Sequence, residues 1–134
     1  MSNSIPVVLA SDQTVSTNIT NITRQGTENN IANNESILPG EVCSSVAVVD
    51  NMKQCNIVYN DDSGIYFDSL AVEVTGDGIT YHKVGEIYPF VSSGSTLRRG
   101  YLFLNVGGFS NMRIRNQSTD NTFVNVNCSV YGCS

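Results

Sequence analysis

The chain has 134 residues, about one domain's worth, and 14% of them are charged, against roughly 25% in an average globular chain. Seven Lys and Arg against twelve Asp and Glu give a formal net charge of −5, which argues against a nucleic-acid partner, since phosphate tracking needs a basic surface that releases counterions. No window approaches the roughly 20 consecutive apolar residues of a membrane span, and the N-terminus lacks the basic n-region of a signal peptide, so no membrane partner is expected.

Residues 5–10 read Ile-Pro-Val-Val-Leu-Ala, a short strand candidate whose Pro6 suits a sheet edge or an added strand. From residue 11 to residue 36 apolar side chains are sparse and Asn, Ser and Thr dominate. Val15, Ile19 and Ile22 fall at helix spacing, but the Thr, Ser and Asn between them compete for helical hydrogen bonds. Burial in such a stretch does not offset the entropy of ordering it. Residues 1–36 are therefore expected to form an extended N-terminal arm, and residues 37–134 the folded domain.

Period-2 alternation then recurs. Val42, Val46 and Val48 are expected to share the buried face of a first strand, with a turn at residues 50–53. Cys55, Ile57 and Tyr59 alternate with Asn56 and Asn60, and Asp61-Asp62-Ser63-Gly64 reads as a turn. Leu70, Val72 and Val74 alternate with Glu73 and Thr75, then pass through Gly76-Asp77-Gly78 into Ile79 and Tyr81, which predicts a hairpin. Leu102, Leu104 and Val106 make another strand, and Met112 and Ile114 alternate with Arg113 and Arg115. Val124, Val126, Cys128 and Val130 alternate with Asn125, Asn127 and Ser129. Many short strands and no long helical period predict an all-β chain: an antiparallel β-sandwich or jelly roll.

Tyr101 and Phe103 face opposite to Leu102 and Leu104, so that strand is apolar on both sides. Either a loop at residues 87–91 covers them, or they form a subunit interface, and Phe123 beside Val124 raises the same question. The pairs Arg98-Arg99 and Arg113/Arg115 are expected to be docking contacts for a carboxylate-bearing protein surface.

Chemistry is sparsely represented. Cys43, Cys55, Cys128 and Cys133 contain no C-x-x-C pair, and His82 stands alone, so no metal site and no cofactor are expected. The first three cysteines read as small buried residues on strands, Cys133 as peripheral, and all four as free thiols. Asp61, Asp62, Asp68, Glu73, Asp77 and Glu86 offer carboxylates for a glycosidase-like pair, but the turn contexts of Asp61, Asp62 and Asp77 explain those residues without catalysis. No catalytic residue is assigned, and the chain is expected not to be an enzyme.

Two segments resemble virion proteins of tailed bacteriophages. Pro6-Val7-Val8-Leu9-Ala10-Ser11-Asp12-Gln13 is similar to a P-V-x-L-A-S-D-Q segment of small phage structural proteins. The hairpin Gly76-Asp77-Gly78-Ile79-Thr80-Tyr81 and the later Gly108-Phe109-Ser110-Asn111-Met112-Arg113-Ile114 resemble patterns in sandwich and jelly-roll modules of phage heads and tails. The resemblance implies a capsid decoration, or cement, protein: a homotrimer that binds the major capsid protein on the virion surface after assembly in the host cytoplasm. It also implies that Ile5, Pro6, Val7, Val8, Leu9, Asp12 and Gln13 contact the capsid, with Tyr101, Phe103 and Phe123 between subunits. The alternative is a tail, fibre or neck module that binds a host-surface glycan through Tyr66, Tyr81 and Tyr88.

Overall fold

The computed structural model describes residues 27–65, 67–91 and 94–133. The capsid contacts expected at Ile5, Pro6, Val7, Val8, Leu9, Asp12 and Gln13 lie outside these residues, as does Tyr66. The described chain is all-β, an antiparallel sandwich with no helix. Its strands are β1 (Thr27–Ile37), β2 (Ala47–Val48), β3 (Gln54–Asp61), β4 (Leu70–Thr75), β5 (His82–Ile87), β6 (Phe90–Val91), β7 (Arg98–Asn105), β8 (Asn111–Asn116) and β9 (Phe123–Cys133).

The pairings are nested. β4 pairs with β5, β3 with β7, β2 with β8 and β1 with β9, all antiparallel. The chain therefore behaves as one long hairpin rolled up, which is the jelly-roll arrangement. Rolling it places β9 between β1 and β3, giving a five-stranded sheet in the order β1-β9-β3-β7-β6. The facing sheet has four strands in the order β2-β8-β4-β5. The core fills the space between, with Ile31, Ile37, Ile57, Leu70, Val72, Ile87, Met112, Ile114, Phe123 and Val126 fully or almost fully buried.

Three local expectations are corrected. Residues 27–36, assigned above to the arm, belong to an edge strand whose Ile31 and Ala32 are buried, because β9 supplies the hydrogen bonds and apolar cover that the segment lacks alone. The expected strand through Val42, Val46 and Val48 shrinks to Ala47–Val48, and its parity is reversed: Cys43, Ala47 and Val49 are buried while Val46 and Val48 are exposed. Phe123 points inward and Val124 outward, because Asn125 takes a left-handed conformation (φ 52°) and forms a bulge at the start of β9. A second left-handed residue, Asn34 (φ 52°), answers it on β1. Asn127 ties the two together, its Oδ1 accepting from the Asn34 N–H at 3.1 Å and its Nδ2 donating to the Asn125 carbonyl at 3.2 Å.

Glycines permit close approaches at two places. Gly132 on β9 lies against the buried Met52, and Gly100 on β7 admits the Ile87 side chain; a Cβ at either position would collide with it. Cys43, Cys55 and Cys128 are buried, Cys133 is exposed, and all four are free.

At one end of the core, Arg98 and Asp61 face each other across β7 and β3 with side chains completely buried. Arg98 Nε donates to Asp61 at 2.9 Å and Nη2 at 2.6 Å, while Nη1 donates to the carbonyls of Ile65 and Asp68 at 2.9 and 2.8 Å. The Tyr59 hydroxyl and the Ser63 N–H also donate to Asp61, and the guanidinium lies 4.5 Å above the Phe123 ring. One side chain thus fastens the β3–β4 loop, β7 and β9 together.

Two stability predictions follow from these contacts. Arg98→Ala leaves a buried carboxylate without its partner and should lower the unfolding free energy by about 3–5 kcal/mol in urea titrations, whereas replacing both Arg98 and Asp61 with apolar residues of similar volume should recover most of the loss. Deleting residues 1–26 should leave the melting transition cooperative, while deleting residues 1–36 should abolish it, because the latter removes most of β1 with Ile31 and Ala32.

Candidate interaction face

The two outer faces of the sandwich differ in chemistry. On the four-stranded sheet, Glu73 of β4 stands opposite Arg113 of β8. Glu73 accepts from Arg113 Nε at 2.7 Å and from Arg115 Nε at 2.9 Å, and Arg115 Nη1 also donates to the Gly40 carbonyl. The Arg113 guanidinium lies 3.7 Å over the Tyr81 ring. Nearby, Lys83 Nζ donates to Glu86 at 2.5 Å and to Gln117 at 2.9 Å. Burial pushes the Glu73 carboxyl up, but the hydrogen bonds and charges of Arg115 and Arg113 outweigh it and hold the group below its ordinary 4.5. The docking role expected for Arg98, Arg113 and Arg115 is therefore corrected: each is committed to a carboxylate of its own chain, and only Arg99 of these four is exposed and outside an ion pair among the described residues.

The five-stranded sheet presents a different surface. Pleating turns Arg99, Tyr101, Phe103 and Asn105 of β7 outward, since Arg98 and Gly100 are buried and Leu102 and Leu104 pack against the core. Tyr101 and Phe103 remain 63% and 56% exposed. The segment expected to cover them does not: Phe90 and Tyr88 are themselves 59% and 68% exposed. Phe90 pairs with Arg99 and joins the aromatic row from β6. Tyr131 joins it from β9, since Tyr131, Asn56 and Phe103 are aligned across β9, β3 and β7, and Ser129, Val58 and Tyr101 form the next row. With strands about 4.8 Å apart and about 3.4 Å per residue along them, Tyr101, Phe103 and Tyr131 lie within about 12 Å of one another, and Phe90 extends the patch to about 20 Å. Their exposed area together amounts to a few hundred Å², roughly the size at which a surface patch on a monomer marks an interaction site.

Amides surround the rings. Asn127 Nδ2 reaches Asn34 Oδ1 at 3.3 Å and Asn60 Oδ1 at 3.4 Å, and Ser129 Oγ donates to Asn30 at 2.8 Å. The Tyr131 hydroxyl donates to Glu28 at 3.2 Å. The face is thus neutral at its centre, with Arg99 and Glu28 at its margins.

Of the residues expected between subunits, Tyr101 and Phe103 lie together on this face and Phe123 does not, being fully buried under Arg98. Phe90 and Tyr131 were missed, although the inward parity of Val130 and Cys128 already places Tyr131 outside. The glycan set is dispersed: Tyr81 lies beneath Arg113 and Tyr88 at the opposite end of β5, about 20 Å away along six strand residues. The six candidate carboxylates are each held by a partner: Asp62 by Thr96, Asp68 by Asn121, Asp77 by Thr75, and the others as described. Among the described residues no three His, Cys, Asp or Glu side chains are grouped to hold a metal ion. No helix among them is long and apolar enough to cross a membrane.

In sequence the chain matches no protein-family model and no curated protein. In structure it is similar to the K2 cleaved adhesin domain of Lys-gingipain, with a TM-score of 0.51 and 11% identity over 81% of this chain and 71% of that one. That likeness is one of fold. A pentameric capsid protein isolated from metagenomic phage sequences aligns over 96% of this chain and 84% of that chain with a TM-score of 0.35 and 13% identity.

The carboxylates around the charged face are held in their ionised form by their partners. The N–H groups of Thr80 and Ile79, with the Thr75 hydroxyl, bring Asp77 down from 3.8 to about 2, and Lys83, followed by the Tyr88 hydroxyl, brings Glu86 from 4.5 to about 2. A carboxyl whose pKa is depressed on folding stabilises the fold above its unfolded value and loses that contribution as pH falls through its folded value. The melting temperature should therefore drop as pH falls from about 4.5 to about 2, and Asp77→Asn should shrink that drop, as scanning calorimetry over the range would measure.

Proposed function

We propose that this chain is a non-enzymatic structural protein of a bacteriophage virion: a decoration protein that binds the major capsid protein lattice as a homotrimer. The observation that carries the reading is the neutral aromatic–amide face, centred on Tyr101, Phe103, Phe90 and Tyr131, on a rigid jelly-roll sandwich whose arginines are largely bound to its own carboxylates. Such a face suits protein contact, because interface cores are depleted of charge and enriched in Tyr and Phe. The resemblance of residues 6–13 to a segment of small phage structural proteins supports the virion setting. Free, mainly buried cysteines suit assembly in a reducing host cytoplasm. In this reading the segment before β1 tethers the sandwich to its neighbours on the capsid surface. Repetition of a modest contact over a symmetric lattice supplies avidity without a single strong patch. The reading requires no cofactor and no nucleic-acid or membrane partner.

Quantitative mass spectrometry of purified particles tests it. Hundreds of copies at a fixed ratio to the major capsid protein are expected, and removal of residues 1–26 should abolish attachment. A handful of copies would move the chain to a tail or neck, and absence from particles would overturn the virion assignment.

A further inference from the structure

Most edges of the two sheets carry a device that discourages further pairing. β1 is bent by the left-handed Asn34 and by register shifts, and Asn29 Nδ2 donates to the Val48 carbonyl beside it at 2.8 Å. β2 has two residues. β5 carries a bulge at Val84, where Val72 pairs with Gly85 and Glu73 with Lys83, and it presents Lys83 and Glu86. Bulges, shortness and charge are the usual protections of a sheet edge.

The outer edge of β7 lacks them. β6 covers only Arg98 and Arg99, because the residue preceding Phe90 is Pro89, which has no N–H to extend the ladder. Beyond that point residues 101–105, Tyr-Leu-Phe-Leu-Asn, pair with β3 on one side and, among the described residues, with no strand on the other. Their register with β3 is uninterrupted, and they contain no charge, proline or bulge. Tyr101 and Phe103 stand exposed on one side of this edge, and Leu102 and Leu104 are only partly buried on the other. An uncharged, regular edge of high β-propensity is a template for another strand.

We propose that the open edge of β7 receives residues 5–10 of a second copy of this chain as an added strand. The inference rests on the homotrimer in the reading above and supplies its contact. The six residues Ile-Pro-Val-Val-Leu-Ala are long enough to span the five open positions, and their Val, Leu and Ile side chains suit a strand apolar on both faces. Pro6, near the start of the run, is tolerated where its missing N–H would face away from β7. Thr27, where β1 begins, shares a row with Gly132, Cys55 and Leu104 and lies three strands from β7, about 14 Å across the sheet. The sixteen residues from 11 to 26 extend at most about 50 Å, enough to reach beyond the sandwich to a neighbour. Donor segment and acceptor edge are different surfaces, so the contact is heterologous, and it closes into a ring when the rotation between successive copies closes. Three copies complete the proposed ring.

Light-scattering mass and amide hydrogen exchange on the full chain test this against a form lacking residues 1–10 and against Leu9→Pro, a substitution outside the described core that removes an N–H of the parity facing β7. The full chain should be trimeric, with amides in residues 101–105 exchanging at least about tenfold more slowly than in either variant. Both variants should be monomeric with unchanged β-sheet circular dichroism, and a synthetic peptide of residues 1–12 should restore the slow exchange to the truncated form. A trimer that survives loss of residues 1–10 with exchange unaltered overturns the strand addition and leaves the trimer standing. A monomeric full chain with protected amides assigns the edge to the chain's own segment and overturns the exchange between copies. Trimers with a protected edge but no copies on particles would remove the virion reading alone.

Discussion

A guanidinium and a carboxylate withdrawn from water are tolerated only when nearly every donor and acceptor finds a partner, and the Arg98–Asp61 pair meets that condition. Its demands propagate. Tyr59 must bring its hydroxyl to Asp61, the β3–β4 loop must turn its Ile65 and Asp68 carbonyls inward, and Phe123 must lie flat beneath the cation. Burial and then the Asp61 charge push the Tyr59 hydroxyl far above its ordinary range, which favours its role as a donor to Asp61. Because side chains alternate along a strand, the inward position of Arg98 also decides which residues of β7 face out. A slip of one residue would bring Arg99, Tyr101 and Phe103 inside and expose the arginine. The aromatic face is thus held in place by an ion pair on the other side of its own sheet.

The strands that were legible in the sequence are those in which buried and exposed residues alternate without interruption. Cys55, Ile57 and Tyr59 on β3, Leu70, Val72 and Val74 on β4, and Met112 and Ile114 on β8 each mark a core face in register. β1 was not legible, because its core side chains, Ile31, Ala32 and Ile37, are few and spaced around a bulge, and its stability comes from β9, roughly ninety to a hundred residues away. Phe123 was misread for the same reason: the left-handed Asn125 adds one residue to the strand and inverts the parity on its N-terminal side. Arg98 and Arg99 look alike as an exposed basic pair, and only the cross-strand position of Asp61 separates the buried one from the free one. Half of the candidate face was visible, in Tyr101 and Phe103. Phe90 and Tyr131 join it only once the order of strands is known.

The sandwich also separates its interactions by type. On the outer faces, ion pairs and a cation over an aromatic ring sit on the four-stranded sheet, where Arg113 and Arg115 share Glu73 and Lys83 pairs with Glu86. Amide and hydroxyl hydrogen bonds and exposed rings occupy the five-stranded sheet. The first face holds its water and offers little to a partner, since binding there would require breaking satisfied pairs. The second offers apolar area that gains by leaving water and amides that can exchange partners at little cost.

The position of β9 between β1 and β3 in the five-stranded sheet bears on how the molecule comes into being. Among the described residues β1 pairs with β9 alone, and β3 has β9 on one of its two sides, so the sheet is incomplete until residues 123–133 have left the ribosome. The amide-rich β1 must wait, without a partner, for nearly the whole of the described chain to be translated. Its scarcity of apolar side chains is then an advantage, because a waiting strand of Asn, Glu and Thr stays hydrated where a greasy one would aggregate. Closure joins residues as distant as Thr27 and Gly132, the kind of long-range pairing whose loop-closure entropy slows folding.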